Sequence, residues 1–141
     1  MNEYLKELVE NMHTVVLATV NVENHPHTQA IEIMLYQDDK LYFLTATTKP
    51  MYEELIINPF ISFTGIKGDD VRSSKAISVS GVVRGVGHHL LKEILIKNPY
   101  IEELYPTPEK KETLRVFEIE HGRGQFFDLS VVPPVSVRFE F

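Results

Sequence analysis

Three short β-branched runs separated by two tight turns fill residues 14 to 45, and they constrain the fold more than any other feature of the sequence. Residues 14 to 22 read TVVLATVNV, and Glu23-Asn24-His25-Pro26 turns the chain into a second extended run from about His27 to Tyr36. Gln37-Asp38-Asp39-Lys40 turns it again, into residues 41 to 45, LYFLT. β-Branched and aromatic side chains suit a pleated, half-buried surface, and short turns join strands that run in opposite directions. The pattern predicts an antiparallel meander of three strands.

The spacing then changes from two to nearly four. From Pro50, the residues Met51, Tyr52, Leu55 and Ile56 fall on one helical face, Glu53 and Glu54 sit in the early turns where the helix dipole favours acids, and Asn58-Pro59 ends the helix. A fourth strand is predicted from Phe60 to Ile66, a polar loop from Lys67 to Ser74, and a long fifth strand from Ala76 to Val86. Leu90, Leu91, Ile94 and Leu95 share the face of another helix, closed by Asn98-Pro99. After a turn at Tyr105-Pro106-Thr107-Pro108, three strands are expected at about Thr113 to Glu120, Gly124 to Leu129 and Val135 to Phe141. Leu5, Leu8, Val9 and Met12 at the front mark a short amphipathic helix with Asn2 as its cap. Many strands with a few short helices point to a closed or nearly closed antiparallel barrel with peripheral helices.

Composition removes several function classes. A chain of 141 residues without a linker reads as one domain spanning 1–141. With no cysteine, thiol nucleophiles, disulfides and cysteine-ligated metals are excluded. The formal charge of -6 lacks the positive field that nucleic-acid binding draws on, and the Lys67, Arg72 and Lys75 group reads as a solvated loop. No apolar run approaches the ~20 residues of a membrane helix, and MNEYLKELVENMH is no signal peptide, so a cytoplasmic protein is expected with neither membrane nor nucleic acid as partner.

The most informative junction is Leu44-Thr45-Ala46-Thr47-Thr48-Lys49-Pro50-Met51-Tyr52. Three hydroxyls, one ammonium and the N–H groups of a helix's first turn converge there, which is the chemistry a phosphate needs. Proline fits that first turn because its missing N–H has no intrahelical partner. The same residues also suit a plainer arrangement, with Thr48 capping the helix and Lys49 in solvent, and local sequence does not decide between the two. His25 and His27 point to one side of a strand edge, but no third ligand is visible, so no metal site is assigned and the histidines read as exposed turn residues.

Taken in order, the turn with His25-Pro26-His27, the run Asp39-Lys40-Leu41-Tyr42-Phe43, the stretch from Thr45 through Lys49-Pro50-Met51-Tyr52 to Leu55, and Asn58-Pro59 resemble the pyridoxamine 5'-phosphate oxidase-like family of FMN-binding split barrels. Ser78-Val79-Ser80-Gly81, Lys97-Asn98-Pro99-Tyr100, Leu104-Tyr105-Pro106 and Phe126-Phe127-Asp128-Leu129 extend the resemblance over nearly the whole chain. It implies a mainly β (α+β) antiparallel split β-barrel of Greek-key type with short peripheral helices. It also implies a homodimer that holds FMN at its interface. Position by position, Thr45, Thr48 and Lys49 match the family's phosphate-contacting loop, and Gln29, Ala30 and Ile31 match the strand that runs beside the flavin. Ser78 lies where a cofactor or partner strand can approach closely, or is an ordinary strand serine facing solvent, and Phe126 would wall the flavin from the partner chain or belong to the core, as strand aromatics more often do.

The activity implied is flavin-dependent oxidation-reduction of a small molecule, with NADH or NADPH as an electron donor and no catalytic side chain assigned. The alternative is a flavin or haem binding or storage module without turnover. Two departures shape these expectations. Many relatives carry an arginine where this chain has Pro26-His27-Thr28-Gln29, which implies weaker FMN binding. Genuine pyridoxamine phosphate oxidases carry a carboxy-terminal tryptophan and an Arg-x-His motif, whereas this chain has no tryptophan and ends Ser136-Val137-Arg138-Phe139-Glu140-Phe141, so that activity is not expected.

Overall fold

The computed structural model describes residues 2–141. Helix α1 (Glu3–Glu7), extended by a wider π turn over Leu8–Met12, leads into strands β1 (Thr14–Val20), β2 (Pro26–Glu32), β3 (Leu35–Gln37) and β4 (Lys40–Ala46). Then come α2 (Pro50–Ile57), β5 (Phe60–Lys67) and β6 (Lys75–Val86), followed by α3 (Leu91–Lys97), α4 (Ile101–Leu104) and α5 (Pro108–Lys111). Strands β7 (Leu114–Asp128) and β8 (Val135–Glu140) complete the chain. The sheet is ordered β2-β1-β5-β6-β7-β4-β3, with β8 also on β7, and neighbours pair antiparallel. This is the mainly β split-barrel architecture expected, with short helices outside it.

The three-stranded meander is not formed. The second predicted strand breaks at Ile33-Met34, where Ile33 N–H reaches the His13 carbonyl at 2.8 Å and Met34 N–H the Tyr42 carbonyl at 2.9 Å. β2 therefore pairs with β1, whereas β4 pairs with β3 and, across nearly half the chain, with β7. Local alternation marks a strand but does not name its partner. The β3–β4 turn is tight because Asp38 and Asp39 both take left-handed backbone, at φ 54 and 57, the requirement of a two-residue hairpin.

The two strands expected over 113 to 129 are one, β7, which bends rather than breaks. Its first half pairs with β4 and its second with β8, while β6 follows it throughout with a register shift at Val82/Val83. Gly124 lets β8 approach: a Cβ there would collide with the ring of Phe139. Phe139 and Phe126 both stack on Tyr4, at 4.9 and 5.0 Å between ring centres, and so tie β7 and β8 to α1.

The main core fills the barrel around Phe43, Phe63 and Phe117, each worth about 1.5–3 kcal/mol of burial. A smaller cluster of Leu35, Tyr42, Leu90, Ile94, Ile101, Leu114 and Val116 packs α3 and α4 onto the outside of β4 and β7. β4 is thus buried on both faces, which explains why LYFLT is apolar without alternation. The Tyr105-to-Pro108 turn is present, but α4 and α5 flank it. On α2 the face differs from the one expected: Met51, Glu54 and Leu55 are buried and Ile56 is 59% exposed.

A buried carboxylate anchors the β4–β6–β7 side. Tyr42 Oη donates to Glu118 Oε2 at 2.9 Å, Arg84 Nε donates to Oε1 at 2.9 Å, and Lys40 Nζ lies 4.0 Å away. Burial alone would raise the Glu118 carboxyl, but the Tyr42 and Arg84 hydrogen bonds and the Arg84 and Lys40 charges outweigh it and hold the group below its usual value.

Candidate functional site

The β4–α2 junction is built by backbone bonds. Thr47 N–H reaches the Thr113 carbonyl at 2.8 Å and Lys49 N–H the Ala46 carbonyl at 3.0 Å, which makes Lys49, in extended backbone, the residue that begins α2. No side chain caps the helix. Thr48 is exposed and does not serve as the cap, which overturns the plainer of the two sequence readings for it. Pro50 has no N–H and Tyr52 N–H is taken by the Lys49 carbonyl at 3.1 Å, which leaves Met51 N–H open in the first turn.

Thr45, at the end of β4, is 3% exposed, and its Oγ1 has no hydrogen-bond partner among the described residues. A buried hydroxyl in that state costs about 1–3 kcal/mol unless something else satisfies it. It lines a cavity of about 340 Å³ together with Lys49, Ala30, Ile31, Thr14 and Glu32. Met34, Leu44, Met51, Leu114 and the Tyr100–Tyr105 segment make the rest of the wall apolar. Lys49 is the one cation of this lining, and the opposing carboxylate of Glu32 is held by His13 Nε2 at 3.3 Å. β2 is the end strand of the sheet, so backbone groups along its outer edge have no strand partner. A phosphate-sized anion at Lys49 and a planar apolar body along β2 suit these donors.

Of the residues singled out in the sequence, the cavity brings together Ala30, Ile31, Thr45 and Lys49. Gln29 is adjacent on β2; its Nε2 donates to the Leu17 carbonyl at 2.9 Å and its buried Oε1 has no partner. Ser78 shares the sheet face of Ala30 but lies three strands away, through the pairs Ala30–Val16, Val16–Thr64 and Thr64–Ser78, with its Oγ 2.9 Å from Thr64 Oγ1, and Phe126 packs on Tyr4. Neither reaches this cavity within one chain.

The wall from Tyr100 to Tyr105 was missed. Its signal was present, since Tyr100, Ile101, Leu104 and Tyr105 follow Asn98-Pro99 at helical spacing. The buried Asn98 fixes that segment by donating from Nδ2 to the Met34 carbonyl at 3.3 Å and to the Ile94 carbonyl at 3.0 Å. Also unforeseen is the pair of His27 and Glu54. His27 is no turn residue: its Nδ1 lies 2.9 Å from the buried carboxylate of Glu54, while His25 pairs with Glu23 at 3.7 Å.

Comparison with known proteins agrees with this geometry. The sequence profile described as pyridoxamine 5'-phosphate oxidase matches residues 1–128. No curated protein matches the sequence. Among solved structures, a NimC/NimA family protein from Clostridium acetobutylicum superposes with a TM-score of 0.78 at 20% identity, covering 99% of this chain and 88% of that one. A protein from the same organism related to general stress protein 26 of B. subtilis, of the pyridoxinephosphate oxidase family, gives 0.71 at 19% identity over 99% and 95%. A heme binding protein from Mycobacterium smegmatis gives 0.74 at 14% identity, covering 96% of this chain and 56% of that one. These likenesses establish a shared fold, no helix among the described residues is long and apolar enough to cross a membrane, and the extent of the profile match makes this chain a member of the pyridoxamine 5'-phosphate oxidase family.

Proposed function

We propose that the protein binds FMN in the β2–β4–α2 cavity and, as a cytoplasmic homodimer, takes part in flavin-dependent oxidation-reduction of a small molecule. The observation that carries the reading is Thr45, which lines the same cavity as Lys49 at the uncapped first turn of α2 and whose buried Oγ1 has no partner among the described residues. In this reading Lys49 Nζ and Met51 N–H hold the phosphate, Thr45 donates to it or to the ribityl chain, and the free edge of β2 at Ala30 and Ile31 faces the polar rim of the ring. Thr48, exposed and outside the cavity lining, would reach the phosphate only from the loop before α2, and Gln29 offers its unpartnered carbonyl oxygen to a ring or ribityl donor.

When bound, the flavin supplies hydride or electron transfer, drawn from NADH or NADPH. The chain's own residues bind, orient and keep water from one side of the ring. Homodimerisation is supported by the hydroxyl-rich sheet face that carries Ser78, Ser62, Thr64 and Ser80, on which Val16 is 53% and Phe60 66% exposed. Phe126, paired with buried Ile77 and stacked on Tyr4, lies on the other face of the sheet.

Lys49→Ala tests the site. FMN affinity, followed by flavin fluorescence quenching, is expected to fall by about 1–3 kcal/mol, the scale of a charge-assisted hydrogen bond, with the melting temperature unchanged. A protein that takes up no FMN, or a variant that binds it equally well, would overturn the reading. Reduction of the bound flavin by NADH or NADPH separates an oxidoreductase from a store. The storage reading for haem draws less from this cavity, whose lining contains no histidine.

A further inference from the structure

Glu54 is 6% exposed, and its carboxylate is satisfied from two other elements. His27 Nδ1 on β2 lies 2.9 Å from Oε1 and 3.1 Å from Oε2, and Thr19 Oγ1 on β1 donates to Oε1 at 3.3 Å. A carboxylate only accepts, so Nδ1 carries the proton, and Nε2, on a side chain 46% exposed, is the nitrogen that gains or loses one. This is the only hydrogen bond between β2 and α2 among the described residues. It spans the two halves of the cavity, because β2 carries Ala30 and Ile31 while the first turn of α2 carries Lys49 and Met51.

We infer that the His27–Glu54 pair positions the strand and helix halves of the anion-binding cavity and makes its affinity for a phosphate-bearing ligand pH-sensitive, tight with His27 doubly protonated and weaker once that proton is lost. The inference rests on the FMN reading given above. Two effects share this sign. Loss of the proton weakens the bond that holds β2 against α2, and it leaves the buried negative charge of Glu54 uncompensated on the helix that carries the anion site. Among groups facing His27, α2 supplies only Glu54, with Glu53 exposed; β1 supplies the uncharged Thr19; and in the β1–β2 turn Glu23 is engaged with His25.

The test is FMN titration of the intact protein at about pH 6 and about pH 9 for the wild type, His27→Gln and Glu54→Gln, the span within which histidine changes charge. The phosphate of FMN also ionises near the lower end, but identically for every protein, so the ratio of dissociation constants at the two pH values is compared between proteins. The wild-type ratio is expected to exceed that of His27→Gln by about five- to tenfold, with Glu54→Gln resembling His27→Gln. The His27→Gln variant keeps a hydrogen bond to Glu54 without the charge, so its affinity should vary with pH only as the ligand does; equal ratios in wild type and His27→Gln would falsify the inference. If the wild type takes up no FMN, the function proposed above fails first, and amide hydrogen exchange at residues 28 to 31 then judges the pair. Faster exchange in His27→Ala supports the positioning role, and unchanged exchange overturns it.

Discussion

Two sides of this barrel each bury a glutamate and treat their polar groups differently. On the β4–β6–β7 side, Glu118 is closed in by Tyr42, Arg84 and Lys40. On the β2–α2 side, Glu54 has a half-exposed histidine as its partner, α2 starts without a cap, and Thr45 Oγ1 and Gln29 Oε1 are buried with nothing to bond among the described residues. Gln37 Oε1 is the remaining orphan among the described residues and lies apart, on β3. A satisfied network contributes to stability, whereas groups left unsatisfied beside one cavity mark where a ligand supplies the missing partners.

The largest effect expected from this contrast is on stability. Glu118→Ala leaves the Tyr42 hydroxyl buried without a partner and should cost about 2–4 kcal/mol in urea unfolding, most of it from Tyr42 because Arg84 is 62% exposed, with FMN affinity unchanged. The pH dependence follows in sign. A carboxyl lowered in the folded state stabilises the fold fully above the ordinary carboxylate range, and that contribution is lost as the pH falls through the lowered value. Glu118→Gln should therefore flatten the loss of stability below about pH 5.

On the open side the signs reverse. Thr45→Val should stabilise the unliganded protein by about 1 kcal/mol, because it removes an unpaired hydroxyl, and should weaken FMN binding by a similar amount. A variant that loses stability would show the hydroxyl bonded after all. The smallest effect separates two similar helix starts, Thr48-Lys49-Pro50 and Thr107-Pro108. Thr107 Oγ1 accepts from Lys110 N–H at 3.2 Å, so Thr107→Ala should cost about 1 kcal/mol, against less than about 0.5 for Thr48→Ala, as measured by melting temperature.

Much of this was legible in the sequence. The junction at Thr45 and Lys49 stood out through its clustered hydroxyls and proline, and the strands through their alternation. What stayed hidden was pairing at a distance. β4 finds β7 rather than β2, and nothing local encodes that choice. Glu54 read only as an acid of the early helical turns because helical spacing shows which residues share a face, not which histidine waits on the neighbouring strand. The bend in β7 looked like a gap over residues 121 to 123, yet Gly122 there and Gly124 beside it serve close packing against Phe141 and Phe139.

That bend carries a consequence for how the protein comes apart. Because β6 and β7 run unbroken through both halves of the barrel, the pairing to β4 and the pairing to β8 hang on the same backbone. Neither half offers a seam along which it could melt alone, so the slowest-exchanging amides should lie along these two strands and be released together, in a single cooperative opening.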